Sequence, residues 1–417
     1  MYVKLLLITF VPVIFFMKPV MAMNGKISGS EFNPAFSLIL DGRYSSYDKE
    51  YELPGFQTGG EAGLPEKGFG LGHTELTASA NIDDKFYGYF NTAFILEDGE
   101  SDIEVEEVFI ETLGLGHGAT IKAGQFFSGL GYLNAIHNHA HDFTDVPLVY
   151  AGMVGNHLLD KGIQARWLAP TDLFVEFGAE VLSGTGFPGG ENADNNKGRT
   201  LFAKVGGDFS VSSSWLAGLS YYRSEFDKRE AGGHAHGGAT STVDNELSNG
   251  DVDLTSLEFV YKWAPNGNTR ERNFKLQFEY FLRNENGLAE LEESGEQASA
   301  DYDGRQRGYY IQAVYQWQPR WRVGVRYDHL QANNRIINFN GDVDANATAI
   351  STDEFLEDTS LESDHDPKRI SLMFDYSPSE FSRIRLQFNK DDSGHQSDNQ
   401  IYLQYIMSLG AHGAHKF

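Results

Sequence analysis

IYLQYIMSLGAHGAHKF, residues 401–417, closes the chain and decides its fold. Counting back from Phe417 in steps of two gives His415, Gly413, Ala411, Leu409, Met407, Tyr405, Leu403 and Ile401. The residues between them, Lys416, His412, Gly410, Ser408 and Gln404 among them, are mostly small or polar. A period of two with one apolar face is the pattern of a β-strand wetted on one side only.

Toward the N-terminus the same alternation returns, in Leu257, Phe259, Tyr261, Trp263, in Phe274, Leu276, Phe278, Tyr280, Leu282, and in Tyr309, Ile311, Ala313, Tyr315, Trp317. Counted along the chain it predicts about 16 strands of an all-β, antiparallel transmembrane barrel, apolar outside and wet inside. One strand slips phase: Val105 is followed by Val108 and Ile110, so a β-bulge is expected at Glu106-Glu107. Tight turns such as Asp83-Asp84, Pro170-Thr171 and Ser212-Ser213 alternate with long polar segments at 47–68, 132–158, 184–198, 227–252, 287–303 and 333–365. Short periplasmic turns and long outer loops are the asymmetry of an outer-membrane barrel, and a lumen of this size is expected to hold water.

The other end of the chain agrees. Leu5 to Phe16 is apolar, Lys4 precedes it and Val20-Met21-Ala22 follows, so residues 1–22 read as a secretory signal cleaved after Ala22. Twelve apolar residues are too few for a spanning helix. The expected product, residues 23–417, is a single barrel domain in the outer membrane of a Gram-negative bacterium. Its partners are outer-membrane lipid and lipopolysaccharide, with the barrel-assembly machinery engaged through the last strand and Phe417 as assembly signal. There is no cysteine, mean hydropathy is −0.39, and net charge is −26, or −28 without Lys4 and Lys18. Such a charge excludes a basic nucleic-acid-binding surface.

The block EVEEVFIETLGLGHGATIKAGQFFSGLGYLNAIHNHAHDF, residues 104–143, resembles the phosphate-selective porin-like superfamily. There, a strand pair with an AGQF-like turn enters a third outer loop that leads to the constriction, which implies the same for residues 132–158. Together with GFGLGHTELTASANIDD and WLAPTDLFVEFGAE, the chain is similar to uncharacterised proteobacterial outer-membrane proteins labelled zinc-regulated or TonB-dependent receptors. Two departures stand out. The loop after Phe127 carries histidines where an oxyanion-selective pore needs basic residues, and the first strand begins near Pro34, leaving no room for an N-terminal plug.

The complementary phase gives the pore lining. Glu104, Glu106, Glu111, Glu176 and Glu180 form an acidic set, and Arg322, Arg326, Arg383 and Arg385 a basic one, with Arg369 nearby. Set on opposite walls they would impose a transverse field; the alternative is that they pair locally. His137, His139 and His141 alternate just before Asp142, and His234 and His236 sit in GGHAHGG. Neutral imidazoles beside a carboxylate are a ligand set for Zn(II) or another divalent cation. No cofactor is required.

The reading is a channel for passive diffusion of small solutes, with a preference for divalent metal ions such as zinc. The alternatives are a surface metal-binding or adhesion barrel, a receptor, or an outer-membrane hydrolase; the chain holds no Gly-x-Ser-x-Gly elbow, and no enzyme activity is expected. The sequence leaves a homotrimer and a monomer both open.

Overall fold

The computed structural model describes residues 34–97, 100–230, 243–293, 296–341 and 350–410. The expected signal with Ala22, the His234/His236 pair and Phe417 lie outside them.

Period-two segments become β1 (Ala35–Ser46), β2 (Gly68–Leu71), β3 (Thr74–Asn81), β4 (Phe86–Glu97), β5 (Glu100–Thr112), β6 (Ala119–Phe127), β7 (Leu159–Leu168), β8 (Phe174–Leu182) and β9 (Gly198–Ser210). They continue as β10 (Ser213–Glu230), β11 (Val243–Trp263), β12 (Asn273–Glu293), β13 (Glu296–Gln318), β14 (Trp321–Gly341), β15 (Lys368–Ser379), β16 (Ser382–Asp392) and β17 (Asp398–Gly410). β2 and β3 are two pieces of one stave, broken at Gly72-His73, and both pair with β1. The result is a closed antiparallel barrel of 16 strands. β1 meets β17 from Ser37 opposite Gly410 to Ser46 opposite Ile401, and this seam closes the ring.

The exterior carries the expected apolar phase: Phe177, Leu201, Leu219, Leu257, Ile311, Val325, Leu372 and Leu403 are all exposed. The bulge falls at the doubled glutamate. Asn91 pairs with Glu107 and Thr92 with Val105, so Glu106 is the extra residue. Both Glu106 and Glu107 are consequently buried on the inner side, where regular alternation would admit one.

Two expectations need correction. Residues 227–230, 243–252, 287–293, 296–303 and 333–341 are strand, not loop, because β10 to β14 run for 18 to 23 residues. About ten residues cross a bilayer, so these strands rise well beyond the apolar belt. Their pairing continues with unbroken phase between β12 and β13, but the polarity of the two faces exchanges. Below Leu282 the outward residues are apolar (Phe274, Leu276, Phe278, Tyr280); above it they are polar apart from Leu288 (Asn284, Asn286, Glu290, Glu292), while the inward residues, charged at Arg283 and Glu285, become apolar at buried Ala289 and Leu291.

The second correction concerns the interior. A water-filled lumen was expected, yet Leu53, Phe56, Leu130, Tyr150, Met153, Phe281, Tyr310 and Leu330 form a buried apolar cluster inside the wall. Its centre is α1 (Leu148–Val154), in the segment between β6 and β7, which begins at Ser128 and so four residues earlier than expected. A seven-residue helix is too short to persist alone. Burial of Leu148, Val149, Tyr150, Met153 and Val154, about 1.5–3 kcal/mol for each large side chain, holds it. A second helix, α2 (Thr352–Asp358), starts with a Ser351/Glu354 capping box and packs Phe355 on Phe339.

Gly124, in the AGQF motif, has φ +141°, and a Cβ there would lie 2.1 Å from the Val108 carbonyl oxygen. The clash is with backbone of the paired strand β5, so no side chain can swing clear of it. Gly124→Ala should destabilise the barrel by about 1–3 kcal/mol, read as a lower temperature for loss of the fast-migrating folded band in gels. A parent-like midpoint would show that β6 can shift freely.

Candidate functional site

Residues 128–158 enter the barrel and are fastened at three points on its inner wall. The first is Glu180, which accepts hydrogen bonds from Ser128 Oγ at 2.5 Å and the Gly129 amide at 2.8 Å. At the second, Glu279 accepts from the Tyr132 amide at 2.5 Å, Tyr150 Oη at 3.0 Å and Tyr310 Oη at 2.5 Å. The third is Asp145, which pairs with Arg326 at 2.8 Å and Arg369 at 3.2 Å and accepts from Gln387 and Asn389. Asp142 adds ion pairs to Arg322 and Lys275. Burial opposes ionisation of both aspartates, but these cations outweigh it and hold them well below the usual carboxylate range.

This seating decides the fate of the lining residues. Arg385 donates to Asp375 and to the His141 carbonyl at 2.8 Å, and Arg383 donates to the His139 carbonyl. Glu111 and Glu176 share Arg166 at 2.7 and 3.8 Å. The charges thus pair locally, largely through the inserted loop, instead of facing each other across open water. Glu104 is half-buried at the margin of a separate acidic group.

That group receives the histidines. His137 Nδ1 lies 3.3 Å from Glu75 Oε2 and 3.4 Å from Glu106 Oε2, and its Nε2 is 3.0 Å from Glu107 Oε2. His139 Nδ1 is 2.8 Å from Glu75 Oε1. His73 bridges Glu106 Oε1 at 3.2 Å and Glu61 Oε2 at 3.4 Å. Burial alone would depress the His137 imidazole, yet Glu75, Glu106 and Glu107 hold it well above its ordinary value. Burial, against the pull of His73 and with the repulsion of Glu104, Glu106 and Glu75, pushes Glu61 up to about 7.

The expected ligand set of His137, His139, His141 and Asp142 does not assemble. Backbone turns at Asn138–Ala140 send His137 and His139 to the carboxylates but turn His141 away. Its Nε2 lies 2.8 Å from the Ile136 carbonyl, and its ring is 5.8 Å from that of His157. Asp142 is committed to Lys275 and Arg322. Glu61, His73, Glu75 and Glu107 were missed. The inward phase of β3 signalled Glu75, and the bulge signalled Glu107; Glu61 and His73 gave no periodic signal.

His141 and His157 form a pH-sensitive part of the loop. Burial, with His157 beside it, keeps His141 well below its ordinary value, and burial lowers His157 to about 4. Released from the barrel, both would titrate near ~6.5. Below that pH the free loop binds more protons than the seated loop, so seating weakens as pH falls. His137 has the opposite sign: its contribution is complete below ~6.5 and lost only on the alkaline side. Amide exchange in 128–158, corrected for intrinsic rates, should therefore accelerate relative to the strands between pH 7 and about 4; unchanged protection would contradict it.

No protein-family model matches the chain. Over 424 aligned residues it is 31% identical to an uncharacterised protein of Aquifex aeolicus (strain VF5), covering 94% of this chain and 81% of that protein. The chain belongs to that protein's family. Among solved structures, a loop-L8 deletion mutant of the Vibrio cholerae outer-membrane protein OmpT is similar at TM-score 0.52 and 14% identity, over 91% of this chain and all of that one. An anion-selective porin from Comamonas acidovorans gives 0.51 at 10% identity, over 91% of this chain and 100% of that one. The Acinetobacter baumannii outer-membrane channel DcaP gives 0.50 at 12%, over 93% and 100%. At these identities the likeness shows the fold alone: this chain is a porin-like barrel.

Proposed function

We propose that the protein is an outer-membrane channel for passive diffusion of small solutes, with a preference for divalent metal ions such as zinc, and no enzyme. The porin-like barrel supports the channel. The observation that carries the cation preference is the delivery of His137 and His139 by the inserted loop to Glu75, Glu106 and Glu107 on the wall. Five carboxylates, counting Glu61 and Glu104, stand against three imidazoles there, and a buried excess of negative charge attracts cations. The exposed apolar belt supports residence in outer-membrane lipid, beside lipopolysaccharide. Association in threes, as in the trimer form of Vibrio cholerae OmpT, belongs to the same reading and would show as a cross-linked trimer in detergent. Purified protein in planar bilayers should give discrete conductance steps that Zn(II) modulates at lower concentration than Mg(II). Absence of any step would overturn the channel.

A further inference from the structure

We propose that Glu75, Glu106 and His137 form a three-ligand site for a zinc-class divalent cation, with the fourth coordination position left to water or a passing solute. This deepens the cation preference proposed above by naming its site, and it rests on that reading only for its use in transport. The set is not the histidine run read from the sequence, since two of its three ligands come from the wall and only one from the loop.

Zn(II) binds nitrogen and oxygen at ~2.0–2.2 Å, which places tetrahedral ligand atoms about 3.3–3.5 Å apart. His137 Nδ1 stands 3.3 Å from Glu75 Oε2 and 3.4 Å from Glu106 Oε2, and all three ligand atoms lie within 4.8 Å of one another. Glu106 is 3% exposed, and its Oε2, aimed into this group, has only the long 3.4 Å approach of His137 Nδ1 beside it. A buried carboxylate oxygen left so is costly unless something else satisfies it. Asn91 Nδ2, 2.9 Å from Glu75 Oε2 and 3.1 Å from His137 Nδ1, keeps these two ligand atoms facing each other.

Each ligand also has the outer partner that metal sites use to fix orientation. The remaining nitrogen of His137 meets Glu107 at 3.0 Å. The remaining oxygen of Glu75 meets His139 at 2.8 Å, and that of Glu106 meets His73 at 3.2 Å. The bulge is what makes both roles available, because it turns ligand Glu106 and supporting Glu107 inward together. One imidazole and two carboxylates suit Zn(II), Co(II) or Mn(II) and are too few oxygens for Ca(II).

The test uses the whole barrel folded in detergent, stripped with EDTA, in a background with His234→Ala, His236→Ala and His395→Ala, which removes the GGHAHGG pair and breaks the His365/His395 pair. Co(II) should bind with the intense visible absorption of a four-coordinate ion, and Zn(II) should displace it at one equivalent. Glu106→Gln and His137→Ala should each weaken Zn(II) binding at least tenfold. Glu107→Gln and His139→Ala should weaken it by roughly ten- to a hundredfold as outer partners, while His141→Ala should bind like the parent. Heat-modifiable migration confirms folding of every variant, and Glu75→Gln replaces any that fails. Parent-like affinity in Glu106→Gln and His137→Ala, or equal loss in His141→Ala, overturns the site. Binding does not depend on conduction. A barrel that binds one Zn(II) but passes no current keeps the site and loses the channel; a conducting barrel that binds none loses the site alone.

Discussion

Replacing residues 130–156 by a short glycine-serine turn should raise the single-channel conductance several-fold. The hairpin tolerates this cut, because β6 and β7 stay paired up to Phe127 opposite Leu159 and need only a tight connection beyond. What the cut removes is the body of α1 and the chain that carries Asp142 and Asp145. Six inner-wall groups (Glu279, Arg322, Arg326, Asp328, Arg369, Arg385) then face water instead of the loop. The apolar residues uncovered with them, Phe281, Tyr310 and Leu330, do not line a pore comfortably. Asp145→Leu is the milder companion. It takes one carboxylate from Arg326 and Arg369, each at most 5% exposed in its side chain, and leaves Arg326 its pair with Asp328 at 2.9 Å and Arg369 its contacts with Asp328 and Asp391 at 3.8 Å, so the cost stays below the about 3–5 kcal/mol of a buried pair broken outright. That variant should show flickering between parent and larger conductance levels. Equal conductance in parent, deletion and point variant would mean that the loop does not obstruct the path.

Glu285→Leu should lower the stability of the barrel itself by about 3–5 kcal/mol. Glu285 is the counter-charge for two guanidiniums high in the wall: Arg229 at 2.9 Å and Arg283 at 3.3 Å, with side-chain exposures of 4% and 0%. Tyr302 Oη also donates to it at 3.1 Å. Among the described residues the other contacts of the arginines are neutral, namely the Pro188 and Met153 carbonyls, Gln306, and the Phe187 and Phe226 rings. They satisfy N–H groups without balancing charge. The urea midpoint should fall, with Glu285→Gln in between because it keeps the acceptor and loses only the charge. Since Arg283 also holds the Met153 carbonyl of α1, the loss should spread to amide protection of the loop. A midpoint within error of the parent would show that water reaches these arginines.

Much of this architecture is written in the alternation. Side chains on the lipid side must be apolar along the whole belt, and that requirement leaves a period of two in every stave. The bulge was legible for the same reason, since Val105, Val108 and Ile110 cannot share a face without an extra residue between them. Above the belt the rule changes. There the outside is wet and the inside packed, so the pattern inverts at Leu282 and reads as loop to anyone following the apolar face. The packed interior was hidden for a related reason: Leu148, Val149, Met153 and Val154 have helical spacing over only seven residues, too little to separate from an ordinary loop. As for the site, its histidines were visible as a run, but which of them turn toward the wall depends on two short turns around Asn138. Glu75 could be placed inward from β3, whereas its meeting with His139, 64 positions away, is a product of the closed ring.

The spare residue in β5 has a bearing on how such a cylinder can be altered. Pairing with β4 resumes on both sides of it, Thr92 with Val105 above and Asn91 with Glu107 below. A one-codon insertion or excision there adds or withdraws an acid group in the bore while the neighbouring staves keep their alignment. The chemistry of the lining can drift in this way without renegotiating the shell, and a shorter form of the same strand would be a plain, unbent stave with one glutamate where this one has two in a row.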